Sequence, residues 1–186
     1  MVYDGTRLTW PGVGQWNASS GKTGYQEKRF QNLRDKGPVP EGTFQVPLAV
    51  GGQARVVSFE RKADGTLADV QLDKLSTIER LTCIQHPFEA DQHLISEEWG
   101  SNRVRLKKLS LAHANTAHRS GFYLHDSNKG YSHGCIEVDT DFFKSLREYS
   151  RAHFAARKFL ILLVHYDGTS TYGNTKSDKR VFVQCD

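Results

Sequence analysis

The sequence predicts a mainly β, β-rich α+β fold in a single domain, with one or two short helices. Three observations predict it. The apolar runs are short and are set apart by clusters of Gly, Pro, Asn, Asp and Ser, as strands and their turns are. One long stretch, from Asp141 to about Arg157, carries helical 3–4 spacing of its large apolar residues. The 186 residues, 38% hydrophobic and 25% charged, suit one sizeable core and show no internal repeat, low-complexity tract or linker.

In chain order, Val2-Tyr3 and Arg7 to Trp10 read as a hairpin turned at Asp4-Gly5. Asn17 to Gly37 is polar and reads as a long surface loop with one helical turn near Glu27 to Leu33. Loops of that length in compact domains are often functional. Pro38, Pro40, Gly37 and Gly42 make a rigid turn into a strand at Thr43 to Val46. Strands are predicted at Ala54 to Phe59, Leu67 to Leu72 and Leu81 to Gln85, then a helix from Glu89 to Trp99 ending at Gly100. Arg103 to Leu109 alternates basic and apolar residues, which predicts a half-exposed strand with Arg103, Arg105 and Lys107 facing solvent. In the helix from Asp141, capped by Asp139 or Thr140, Phe142, Phe143, Leu146, Tyr149 and His153 share the face that packs on the sheet. Lys158 to Tyr166 reads as a buried strand, followed by a polar loop and a last strand at Val181 to Val183.

The net charge of +4 is mild, and the basic cluster near residues 103–108 lacks the interleaved aromatics of a nucleic-acid surface. It favours an anionic surface such as a cell wall only weakly. No stretch approaches the roughly 20 apolar residues of a membrane span, so no membrane insertion is expected. The N-terminus has neither a basic start nor an apolar stretch, so no signal peptide is read there. The protein then stays in the cytoplasm, leaves by a route that ignores such signals, or had its signal removed. Of the three cysteines, Cys83 and Cys185 are either a pair or two buried thiols, and no CxxC spacing suggests structural zinc. No cofactor is predicted.

The chemistry gathers in Gly121 to Val138, GFYLHDSNKGYSHGCIEV. A strand carrying Tyr123 ends on His125, a turn-forming segment follows, and Ser132-His133-Gly134-Cys135 leads into a second strand carrying Glu137. With a reversal centred near Gly130, the two strands would run antiparallel and His125 would face Cys135, with Cβ atoms about 4.5–5.5 Å apart. A thiol is mostly protonated at neutral pH and attacks as thiolate, so it needs a neighbouring imidazole. His125 is assigned that role. The N–H groups of Gly134 and Cys135 are candidates to receive a tetrahedral oxyanion. His133 braces the loop or donates to substrate, Ser132 fixes the loop, and Asp126 either orients His125 or caps the turn.

Ser-His-Gly-Cys before an apolar residue, with a histidine upstream, resembles the active-site motif of L,D-transpeptidases (the YkuD-type catalytic domain). The ten-residue interval from His125 to Cys135 and the N-terminus without a signal resemble the effectors that type VI secretion systems inject into rival bacteria. Gly24-Tyr25-Gln26 and Asn32 to Gly42 also resemble that group, whereas Glu137 stands where common members carry arginine. The resemblance implies an L,D-transpeptidase-like β-sandwich or mixed-sheet domain over residues 1–186, with 1–42 as an N-terminal hairpin and long loop bordering the active site. It implies that Cys135 attacks the L-centre carbonyl of diaminopimelate in a peptidoglycan tetrapeptide stem and expels D-alanine. The thioester then passes to water, to a D-amino acid or to another stem. It further implies action in the periplasm or wall of a target cell, export by a dedicated secretion system, and an immunity protein as partner.

Two other classes compete on the residues alone. His125, Asp126, His133 and Cys135 are a plausible donor set for a metal-dependent peptidoglycan amidase or peptidase, although their spacing matches no common pattern. A non-catalytic wall-binding module is the third. The remaining histidines (86, 93, 113, 118, 153 and 165) read as surface or core residues.

Overall fold

A computed structural model describes residues 1–54, 59–61, 67–69, 77–81, 84–85, 93–94, 99–127 and 129–175. Among these the fold is mainly β, an eleven-stranded mixed sheet and two small two-stranded sheets with a single α-helix, as the mainly β class read from the sequence predicts. The chain opens as the expected hairpin, β1 (Val2–Tyr3) against β2 (Arg7–Trp10). The Asp4 carboxylate turns it by accepting the N–H groups of Thr6 and Arg7, each at 2.7 Å. β3 (Gly14–Ser20) follows and corrects the start of the expected loop, since Asn17 to Ser20 extend the strand that pairs with β2 and Ala18 to Ser20 are buried. The rest of the loop carries a 3₁₀ turn at Lys28–Phe30 and leads into β4 (Gly42–Pro47). Next come β5 (Val50–Ala54), β6 (Phe59–Arg61), β7 (Leu67–Asp69), β8 (Ile78–Leu81), β9 (Ile84–Gln85) and β10 (His93–Leu94). The chain continues through β11 (Asn102–Arg105), β12 (Lys107–Leu111), β13 (Tyr123–His125) and β14 (Ile136–Val138). It ends with α1 (Asp141–His153) and β15 (Phe159–Val164).

The main sheet runs β12-β4-β15-β1-β2-β3-β14-β13-β11-β8-β5. β11 and β12 lie far apart in that order, yet only Leu106 separates them in the chain. One residue bridges no more than about 7 Å between its neighbours, so the sheet curls round to bring its β12 edge beside β11. Leu106 spans the seam and donates its N–H to the Phe122 carbonyl at 2.8 Å.

The inner face of the curl is the apolar core. Tyr3, Leu8, Phe44, Leu162, Leu124, Ile136, Val104 and Ile78 are buried there from successive strands, and α1 adds Phe142, Phe143 and Leu146. Each such side chain contributes about 1.5–3 kcal/mol of burial. Trp16 meets the Phe142 ring edge-on at 5.3 Å, which seats α1 against the start of the sheet. The helix stops at His153, four residues short of expectation, and His153 is exposed and stacks on Tyr149 at 4.3 Å.

The outer face changes character across the sheet. On β15 it leaves Phe159, Ile161 and Leu163 exposed, so that strand is buried on one side only. Across β3, β14, β13, β11 and β8 it carries a polar row, which the register aligns as Ser19, Glu137, His125, Arg103 and Glu79. All five are buried.

Arg103 therefore corrects the expectation of a solvent-facing residue. β11 is an interior strand, and the guanidinium is paired with the Glu79 carboxylate while lying 4.8 Å from the Trp99 ring. Lys107 and Lys108 on the edge strand are exposed, and Arg105 is half-buried. The expected helix over Glu89 to Trp99 is also corrected, since His93–Leu94 is a strand paired with Ile84–Gln85. Cys83, Cys185 and the strand expected at Val181 to Val183 lie outside the described residues. Among the described residues no helix is long and apolar enough to cross a membrane.

Candidate active site

β13 and β14 are neighbours, but they run parallel, not antiparallel. The ten residues between His125 and Ile136 carry the chain back along the sheet before the second strand begins. The register sets His125 level with Glu137, so Cys135, two residues earlier, falls one step behind His125 beside Tyr123. The expected face-to-face pair is thus a diagonal one on adjacent strands. Such neighbours are roughly 7–8 Å apart, within reach of long or aromatic side chains.

Glu137 anchors the returning loop. Its buried carboxylate accepts hydrogen bonds from Ser127 Oγ, the Gly130 N–H (2.8 Å), the Lys129 N–H (3.2 Å) and Thr175 Oγ1. Burial pushes its carboxyl above the usual range, and those bonds pull the other way. The carboxylate holds the loop and is not among the residues that line the cleft described below.

Asp126 caps the turn into β11, accepting from the Ser101 and Asn102 N–H groups at 2.7 Å and from Asn102 Nδ2 at 2.6 Å. Gly100 is required beneath it, because a Cβ there would lie 2.2 Å from Asp126 Oδ1. His125 is buried, its ring edge-on to Trp99 at 5.6 Å, with Nδ1 a weak acceptor for the Ser127 N–H at 3.5 Å. Tyr123 is buried edge-on to the same Trp99 at 4.8 Å.

The Ser-His-Gly-Cys turn is fixed by hydroxyls. The Cys135 carbonyl accepts from Ser20 Oγ at 2.7 Å and from Ser132 Oγ. Ser132 Oγ in turn accepts the N–H groups of Gly21 and Gly134, both at 3.3 Å. Gly134 has φ +118°, and a Cβ on it would meet Arg119 Nη2 at 2.3 Å.

Cys135 itself is half-buried and unpaired, with Sγ 3.9 Å from the Gly121 carbonyl. It opens into a cleft of about 240 Å³ whose walls are the turn at His133 and Gly134, the segment from His118 to Phe122, and Arg34 and Asp35 from the long loop. Burial pushes the thiol up to about 11, while the Tyr123 N–H and the charges of Arg119, Arg103 and Lys129 favour the thiolate.

Two further residues line the cleft, Arg119, which no sequence signal singled out, and His118, expected only as a surface or core histidine. Arg119 is buried and donates to the carbonyls of Pro38, Gln31 (2.7 Å) and Gly37 (3.0 Å), which straps the long loop to the wall beside Cys135. His118 is exposed and brings a second imidazole to the cleft in addition to that of His133. Both sit in a polar connection with no periodicity, so no pattern signalled them. His125, the assigned base, is not among the residues that line the cleft; it is the diagonal neighbour of Cys135 on β13. Among the described residues no three His, Cys, Asp or Glu side chains are grouped to hold a metal ion.

No protein-family model matches the chain, and no curated protein matches it.

Proposed function

We propose that the protein is a cysteine acyltransferase or peptidase of the L,D-transpeptidase type acting on peptidoglycan tetrapeptide stems. The observation that carries this reading is the half-buried free thiol of Cys135 at the base of a polar cleft, on a backbone held by Ser20 and Ser132. The motif resemblance supplies the substrate. The cleft charge is compatible with it, since Arg34 and Arg119 outnumber the single carboxylate of Asp35 around a stem that carries carboxylates.

In the proposed reaction Cys135 Sγ bonds to the diaminopimelate carbonyl carbon and the amide C–N bond to D-alanine breaks. The thiol proton passes through an imidazole to the departing amine. His125 is proposed as that imidazole because it shares the outer face with Cys135 and is held by packing, whereas His118 and His133 are exposed. The N–H groups of Gly134 and Cys135 are proposed to receive the oxyanion, which requires the Gly134 N–H to exchange its 3.3 Å bond to Ser132 for the substrate oxygen. The thioester then passes to water, a D-amino acid or a second stem. In the setting the motif implies, the enzyme is an antibacterial effector delivered to the wall of a target cell and opposed by an immunity protein.

Mass spectrometry of purified tetrapeptide stems incubated with the protein tests the reading. Wild type should release D-alanine or exchange it for an added D-amino acid, Cys135→Ala should do neither while remaining folded, and a chelator should have no effect. Full turnover by Cys135→Ala, or loss of turnover to the chelator, would overturn it. His125→Gln should lower kcat by at least about 100-fold, the scale of a lost general base. His118→Gln should not.

A further inference from the structure

A second groove of about 290 Å³ lies on the far side of the segment that walls the cleft. The two depressions share Ser120, Gly121 and Phe122. Pro47, Leu106 and Phe122 give the groove an apolar lining, and Arg105 and Lys107 give it positive charge. Among the described residues no acidic side chain lines it. Lys108 lines it too, with its ammonium held by the carbonyls of Ala117 and Arg119, both at 3.0 Å. The ridge between groove and cleft is bare: Gly121 is exposed, has φ +78°, and a Cβ built on it would meet nothing within 4 Å. The Gly121 carbonyl is also the group 3.9 Å from Cys135 Sγ, so a chain crossing the ridge passes directly beside the thiol.

We propose that this groove is a subsite for an anionic segment of the same substrate. A peptide whose carbonyl reaches Cys135 continues over Gly121 and sets a carboxylate against Lys107 and Arg105, with its aliphatic part on Pro47 and Phe122. This rests on the acyl-enzyme reading above and deepens it by placing a second recognition point outside the cleft. Charge complementarity at a partly exposed site acts mainly on capture, so the expected signature is in KM and not in kcat.

The test compares two tetrapeptide stems, one with the carboxylates remote from the cleaved bond free and one with them amidated, on wild type, Lys107→Glu and Arg105→Gln. Wild type should show a KM about fivefold lower for the free form, the size of one partly exposed ion pair. Lys107→Glu should abolish or reverse that preference with kcat unchanged on the amidated stem, and Arg105→Gln should weaken it. The rate of Cys135 alkylation by iodoacetamide should be equal in all three proteins, which reports that the cleft is intact. Equal KM for the two stems in wild type, or a preference that survives Lys107→Glu, would overturn the subsite while leaving the acyl-enzyme reading in place. Failure of wild type to process either stem would overturn the acyl-enzyme reading itself.

Discussion

Burial sets the resting state of Cys135. With its thiol pushed up to about 11, only about one molecule in ten thousand carries the thiolate at pH 7. In the proposed mechanism the proton therefore leaves to the imidazole as Sγ attacks, and the Tyr123 N–H and the Arg119 charge favour the anion that forms. The expected outcome is that iodoacetamide labelling of Cys135, followed peptide by peptide, accelerates about tenfold per pH unit from pH 7 to 10. A plateau below pH 9.5 would mean a thiol like that of a free cysteine. The neighbouring Gly134 offers a second check. Alanine there must adopt φ +118° and push a methyl into Arg119 Nη2, so Gly134→Ala should lose about 1–3 kcal/mol in urea unfolding, from backbone strain together with displacement of the arginine strap. An unchanged midpoint would show that the turn relaxes without cost.

Among the elements, the parallel pair β13 and β14 decides how the site is built, and it is the feature the residue pattern conveyed least. Both apolar runs, the turn between them and the hydroxyl-rich Ser-His-Gly-Cys are legible in order and type. Their relative direction is not, because a ten-residue connection rich in turn formers serves a hairpin or a returning loop equally well. What selects the second is Glu137 reaching back to Ser127, Lys129 and Gly130, a contact that no local spacing encodes. Arg103 misled for a related reason: alternation marks two faces but does not say that both are covered. The pairing with Glu79 makes a measurable demand. Arg103→Met strands a buried carboxylate and should cost about 3–5 kcal/mol, whereas Arg103→Met with Glu79→Leu should recover most of that loss. Urea unfolding of the two single variants and the double variant checks the coupling, and additive losses would mean that the two side chains do not act as a pair.

At the scale of the whole molecule, distant parts of the chain converge on the cleft, and Glu41 is the junction. It follows the loop strapped by Arg119 and immediately precedes β4. Its N–H donates to Gln31 Oε1 (2.9 Å), and its carboxylate accepts the Tyr166 N–H (2.9 Å) and meets His113 (3.0 Å) and His165 (3.5 Å). The mainly β class, the first hairpin and the helix from Asp141 were legible because each is a local pattern. This junction joins residues more than seventy positions apart, and the sequence offers Glu41 only as part of a proline-rich turn. Burial works to raise the Glu41 carboxyl, but the Tyr166 N–H, the His113 ring and Gln31 outweigh it and hold it below the usual range. A carboxyl depressed in the folded state stabilises the fold above its unfolded value, and that stabilisation is lost as pH falls through the folded value. Glu137 has the opposite sign, since its raised carboxyl makes its contribution decline as pH rises above the unfolded value. The informative quantity is therefore the difference between wild type and Glu41→Gln in unfolding free energy, measured from pH 7 to pH 3. Wild type should be the more stable at pH 6, and its advantage should shrink below about pH 4.5 as the carboxylate protonates and the two proteins become alike. Curves that stay parallel over the whole range would show that the junction is held by packing and backbone bonds alone, without help from the Glu41 charge.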